Sequence, residues 1–152
     1  MNTRNIAKSL IVVTVIAAGI GCASSAALPT SPSASNGSTS LSTEQLTGAW
    51  RLQSIQVAGQ AVQSAPADAN YSVTFSEGRI AARADCNSCS SGFSLSGSKL
   101  SIASAMACTR AACPTMQFES VYTSLLAGEH TVSINGSTMT WSSERGSLTF
   151  VR

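Results

Sequence analysis

Apolar and polar residues alternate along most of the chain beyond residue 46. In "LTGAWRLQSIQVAG" Trp50 and Leu52 stand between polar neighbours, and in "YSVTF" Tyr71, Val73 and Phe75 fall on one face. Period-2 alternation of this kind marks half-buried β-strands. Glu77-Gly78 predicts a tight turn into "RIAARA". "GFSLSGSKLSIAS" predicts a hairpin turning at Ser96 to Ser98, with Phe93, Leu95, Leu100 and Ile102 inward. Towards the C-terminus come "HTVSI", "STMTW" and "SLTFV", with turns at Asn135-Gly136 and near Arg145-Gly146. Asn-Gly between alternating runs is a strong hairpin signal.

One segment has a different period. In "PTMQFESVYTSLLAG", Phe118, Val121, Tyr122, Leu125 and Leu126 recur at i, i+3, i+4, i+7 and i+8, which is one face of an α-helix. Pro114 suits its first turn and Gly128 its C-terminal end. The predicted fold class is therefore α+β. It is a mainly antiparallel, twisted β-sheet or partly closed barrel, packed on one α-helix.

The N-terminus reads as a targeting segment. "MNTRNIAK" is a positive n-region, and "LIVVTVIAAGI" is an apolar h-region too short to span a bilayer comfortably. It runs through "AAGIGC" into Cys22, which resembles the bacterial lipoprotein signal, with Gly19 where leucine is usual. Residues 1–21 are expected to be a signal peptide and Cys22 the lipidation site; an ordinary secretory cleavage near "ASSAA" is the alternative. Two or three acyl chains on one residue give stable anchoring where one is marginal. Residues 22–42, with Pro29, Pro32 and Gly37 among small polar residues, read as the lipidated cysteine and a flexible tether. The domain is expected over residues 43–152. Ala23 and Ser24, with no aspartate after the cysteine, suggest by resemblance to enterobacterial lipoproteins an outer-membrane location facing the periplasm.

Composition narrows the partners. Apolar residues make up 43% of the 152, enough for a core, and charged residues only 11%. Of the nine basic residues, Arg4 and Lys8 lie in the segment expected to be removed, leaving seven against seven acidic. A neutral chain with no basic run offers little to nucleic acid.

The cysteines carry more information. "CNSC" (86–89) is answered by "CTRAAC" (108–113), so the domain holds an even four. The spacing alone would allow zinc. An export signal argues for disulfides instead, because the periplasm is oxidising. A redox C-x-x-C normally opens a helix, whereas "SSGFSL" after Cys89 reads as turn and strand. Structural disulfides are the expectation, with no metal and no cofactor.

"LTGAWRL", "CNSCSSGFSLSGSKLSI", "TRAAC" before a helix with Glu119, and "MTWSSERGSLTFVR" together resemble the META domain, the family of HslJ-type heat-inducible envelope lipoproteins. The most specific element is Cys-Asn, then Gly-aromatic, then Thr-x-x-x-Cys. The family commonly has glycine before Cys-Asn where this chain has Asp85, and Cys89 and Cys108 are additional to its usual pair. The resemblance implies a sheet-plus-helix fold and a role in heat or envelope stress, with no agreed substrate. Four cysteines allow three connectivities. Neighbour pairing would close only small loops. The intervening hairpin reverses the chain, which favours nested over crossed pairing. The resemblance implies the same, since the usual pair matches Cys86 and Cys113 and leaves Cys89 for Cys108.

Catalytic candidates are few. His130 is the lone histidine, has only Glu129 beside it, and is expected at the surface at the start of a strand. Ser90 and Ser91 are not singled out among many serines, and "SSGF" is no nucleophile elbow. Asp85 and Glu119 could form a carboxylate pair but read as a turn residue and a solvated helix face. Asn87 is expected to hydrogen-bond nearby backbone, and Trp50 and Trp141 to sit in the core with each indole N–H reaching a partner. The functional expectation is a lipid-anchored, non-catalytic envelope module with a protein or cell-wall partner, supporting outer-membrane integrity under stress. The alternative is a periplasmic enzyme or enzyme inhibitor acting through the loop 58–70.

Overall fold

The structure, a computed structural model, describes residues 40–152. The expected signal peptide, Cys22 and most of the expected tether lie outside the described residues. Leu41 and Ser42 already engage the domain: the Leu41 N–H donates to Gly97 O, and the Ser42 N–H to Gln45 Oε1.

The alternating stretches become strands β1 (Gly48–Val57), β2 (Gln63–Ser64), β3 (Tyr71–Ser76), β4 (Arg79–Ala84), β5 (Asn87–Ser96), β6 (Lys99–Ile102) and β7 (Ala107–Cys108). After the helical segment come β8 (Gly128–Asn135), β9 (Thr138–Ser143) and β10 (Gly146–Val151). A short helix, α1 (Thr43–Leu46), precedes β1, and α2 (Met116–Leu126) is the helix expected from the 3.6-residue pattern.

Eight strands form a ring in the order β1-β3-β4-β5-β6-β8-β9-β10, every pairing antiparallel. β10 returns to β1, from Arg51 opposite Val151 to Val57 opposite Gly146, and this closes the barrel. The two-residue strands β2 and β7 pair outside the ring, on β1 and β5. Closure removes the unpaired edges that an open sheet would expose.

The bulge at Gln53 sets the phase of β1. Leu52 lies opposite Phe150 and Ser54 opposite Thr149, so Gln53 has no partner of its own on β10. Trp50, Leu52 and Ile55 are all buried, although Leu52 and Ile55 are three apart. Without the extra residue Ile55 would face solvent. The interior is aromatic at its centre: Trp141 lies against Phe75, Phe150 and His130, with ring centroids 5.8, 4.9 and 5.4 Å away. Trp50 and Trp141 are both core residues, as expected; Trp50 Nε1 donates to Leu46 O at 2.9 Å, but Trp141 Nε1 is buried without the expected partner among the described residues.

One turn differs from its sequence reading. The β8–β9 loop is Gly136-Ser137, with Asn135 as the last strand residue opposite Thr138. This register sets Ile134 opposite Met139 and Val132 opposite Trp141. A turn centred on Asn135-Gly136 would have put Ile134 opposite Ser137 and lost one apolar cross-strand pair.

The helices close the two ends. α1 lies at the end carrying the turns at 77–78, 97–98 and 136–137, with Leu46 fully buried. α2 lies across the other end. Its Tyr122 hydroxyl donates to Ser72 O on β3, and its Leu126 carbonyl meets His130 on β8. Arg145, in the β9–β10 turn, donates from Nη1 to Ser124 O at 2.6 Å and from Nη2 to Ala127 O. A guanidinium on the last carbonyls of a helix is favourable both as a hydrogen bond and towards the helix dipole.

Candidate functional site

The four domain cysteines form Cys86–Cys113 and Cys89–Cys108, the nested pairs, with Cα–Cα separations of 5.7 and 4.0 Å. Cys89 and Cys108 stand directly opposite each other in the β5–β7 ladder. Together the two bonds fasten the segment 103–115, which leads into α2, onto the start of β5. "CNSC" opens a strand and no helix, as its sequence context indicates.

Beneath the disulfides sits Asn87, 2% exposed at the first position of β5. Its Oδ1 accepts from Thr109 Oγ1 at 2.9 Å and from the Ala111 N–H at 2.8 Å. Its Nδ2 has three acceptors in reach: Glu119 Oε1 at 2.8 Å, Ala111 O at 3.0 Å and Cys113 Sγ at 3.2 Å. The backbone role expected for Asn87 is present, and it extends to a side chain of α2.

A second network holds the start of α2. Asp85 has φ +58, the left-handed conformation that glycine adopts freely, so aspartate holds here a backbone conformation that suits glycine. Its Oδ2 accepts from Thr115 Oγ1 at 2.6 Å and from the Thr115 N–H at 3.3 Å. Thr115 is the N-cap of α2, and its Oγ1 lies 2.7 Å from the Tyr71 hydroxyl. A carboxylate only accepts, so the Thr115 proton points to Asp85 and Tyr71 donates to Thr115. Burial raises the Tyr71 pKa, with the charges of Asp85 and Glu119 adding to it against the Thr115 hydrogen bond, which keeps the phenol a donor.

Asp85 is the turn residue expected, and it and Glu119 form no pair, since each has its own partner in a separate network. Two of the site readings need correction. Glu119 is not on a solvated helix face: Oε1 is held by Asn87, and Oε2 is buried with no hydrogen-bond partner among the described residues. His130 is not a surface residue; it is 3% exposed. The reason is phase. His130 shares its strand face with Val132, which points into the barrel, and the Leu126 carbonyl lies 3.0 Å from Nε2. A carbonyl cannot donate, so Nε2 carries the proton in the neutral ring. Burial first, then nearby Arg145, lowers the His130 pKa, against the bond to Leu126.

Open grooves lie at this end of the barrel. One of about 950 Å³ is lined by Lys99, Glu129, His130, Glu144 and Arg145 among others. Its cations are engaged: Lys99 pairs with Glu129 at 3.5 Å, and Arg145 holds the end of α2. A second cleft, of about 340 Å³, is lined by Asn87, Arg110, Ala111, Ala112, Met116 and Glu119, together with Ser120 and Thr123. A third, of about 600 Å³, has Gln63 and Pro66 on one side and the start of α2 on the other. Among the described residues no group of three or more His, Cys, Asp or Glu is placed to hold a metal ion. The sequence pattern does not single out Arg110, Thr115 or Tyr71 as site residues; of this group only Thr109 carries a signal, as the threonine of Thr-x-x-x-Cys.

The META domain family model matches residues 43–152. The chain belongs to the META domain family. The Cys-Asn and Thr-x-x-x-Cys elements of the motif thus have a physical meaning in this META domain: they are the Asn87–Thr109–Cys113 clasp that ties the approach to α2 onto β5. Two solved structures share the fold. An NMR structure of a protein from Burkholderia xenovorans matches at 24% identity and TM-score 0.60, over 72% of this chain and 85% of that one. A second NMR structure matches at 23% identity and TM-score 0.56, over 73% and 94%. No curated protein sequence matches the chain.

Proposed function

We propose that this META-domain protein is a non-catalytic module of the bacterial envelope, lipid-anchored at Cys22. It faces the periplasm, from the outer membrane, and offers the α2 end of its barrel to a protein or cell-wall partner under envelope stress. The observation that carries the compartment is that all four domain cysteines are joined in two disulfides, the bonding of an oxidising environment. A binding role is supported by how the polar groups are used. His130 is turned inward onto a carbonyl, and the amide of Asn87 is committed to the fold. Arg110, which has no side-chain partner among the described residues, lines an open cleft together with Glu119, whose second oxygen is buried without a partner there.

The second reading, an enzyme or inhibitor acting through the loop 58–70, has one observation in its favour. Val62 in that loop is 60% exposed and Met116 at the start of α2 is 58% exposed, while Gln63, Pro66 and Met116 line one groove. Large exposed apolar side chains beside a groove are features of interaction surfaces.

Cell fractionation tests the first reading. The full chain should be released from membranes only by detergent, with its four domain cysteines resistant to alkylation until reduced. The Cys22→Ser chain should become soluble or remain an uncleaved precursor. A correctly processed Cys22→Ser protein that still needs detergent, or free domain thiols in the native envelope, would sink the proposal.

A further inference from the structure

Arg110 and Glu119 line the same 340 Å³ cleft and do not pair with each other; the one ion pair among the described residues is Lys99–Glu129. Glu119 Oε1 is fixed on Asn87 Nδ2 at 2.8 Å, so the carboxylate cannot swing away without breaking that bond. Its Oε2 is buried and lacks a donor among the described residues. Leaving a buried carboxylate oxygen unsatisfied carries a desolvation cost, and such a group calls for an explanation. Arg110 lines the same cleft, and a guanidinium offers a fork of N–H donors that fits a carboxylate or phosphate. An ion of one sign would satisfy one of these groups and meet a like charge in the other.

We propose that this cleft binds a small zwitterion, its ammonium group donating to Glu119 Oε2 and its carboxylate or phosphate taken by Arg110. The inference rests on the binding reading above and names the ligand class. Asn87 positions the carboxylate before the ligand arrives, because the amide is itself held by Thr109 and the Ala111 backbone. Such preorganisation reduces what binding must order. Oε2 is closed to water in the free molecule, so entry requires a rim side chain to move. Met116, unbranched and exposed, is one that can. Two sources supply this chemistry: an α-amino acid group, free or at the end of a peptide, and a phosphoethanolamine headgroup.

The test uses the ¹⁵N-labelled full chain in detergent micelles, titrated separately with alanine, phosphoethanolamine, ethylamine and acetate. Alanine or phosphoethanolamine should give saturable shifts at the Ala111, Ala112 and Ser120 amides, and the tighter of the two identifies the source. Ethylamine and acetate, each with one charge, should bind about tenfold more weakly or worse. Glu119→Gln, which keeps the acceptor for Asn87, and Arg110→Gln should each weaken the zwitterion about tenfold. Lys99→Gln, in the other groove, should change nothing. No saturable shift with either zwitterion, or ethylamine binding as well as alanine, would overturn the proposal. So would a direct Arg110–Glu119 ion pair in the free protein, seen as Arg110 side-chain N–H signals protected from exchange with water that lose this protection in Glu119→Gln. Failure of these titrations with Cys22-dependent anchoring intact removes the ligand and leaves the envelope reading. Loss of that anchoring with ligand binding intact does the reverse.

Discussion

The carboxylate of Asp85 holds the N-cap residue of α2, with Oδ2 2.6 Å from Thr115 Oγ1 and 3.3 Å from its backbone nitrogen. Asp85 does this from a left-handed backbone conformation at φ +58. Asp85→Ala should lose the charge-assisted hydrogen bonds and keep the unfavourable φ, costing about 2–3 kcal/mol. Asp85→Gly loses the same bonds but relieves the backbone, and should be about 1 kcal/mol less damaging. Urea unfolding of the pair checks this; glycine as harmful as alanine would show that φ is not the issue.

The two disulfides should differ in worth. Cys86–Cys113 closes a separation of 27 residues, and removing it should cost about 3.5 kcal/mol on the loop-closure model. Cys89–Cys108 closes 19 residues inside that loop, between positions already opposite in a ladder, and should contribute less. Paired Cys→Ala replacements, unfolded in urea without reductant, give the order. Equal losses, or a larger loss for the inner pair, would contradict it.

Acid should weaken the fold through His130. Its pKa in the fold is lowered from 6.5, chiefly by burial, so below pH 6.5 the unfolded chain takes up a proton that the folded one resists. The stabilisation is complete above that pH and is lost as pH falls through the folded value. His130→Gln, which retains a donor for Leu126 O, should flatten the loss of stability between pH 7 and 5, measured as denaturation midpoints. An unchanged slope would clear His130 of the effect.

Barrel closure depends on a missing side chain. Gly146 has φ +146, and a Cβ there would overlap the carbonyl of Gln56 on β1. Gly146→Ala must therefore push β10 off β1 at the seam and should cost more than about 2 kcal/mol. Gly97→Ala, at φ +60 with open space around it, should cost about 1 kcal/mol. Thermal melts of the two variants compare them directly.

Much of the secondary structure was legible along the chain because it depends on local periodicity. Tyr71, Val73 and Phe75 alternate, and they do face the core; Phe118 to Leu126 repeat at helical spacing, and they do form α2. The nested disulfides were legible as well, since a hairpin between two cysteine pairs reverses the chain. His130 shows how far periodicity reaches. Its phase with Val132 was in the sequence, but the carbonyl that makes an interior histidine tolerable belongs to Leu126 at the end of α2, and only packing brings the two together.

What sequence alone determined is which residues share a face, where the chain turns, and which cysteines can meet. Tertiary structure decided which faces meet one another. β1 and β10 lie at opposite ends of the domain, and nothing local says that they pair; the barrel closes because the bulge at Gln53 and the bare Gly146 let those strands approach. The cleft between Arg110 and Glu119 was equally hidden. Arg110 lies in an irregular segment and Glu119 on a helix, and they border one space only because the disulfides and Asn87 bind that segment to β5 beside α2. Periodicity records an average environment for each side chain. The choice of neighbour comes from long-range packing, in which residues far apart in sequence compete for the same contacts.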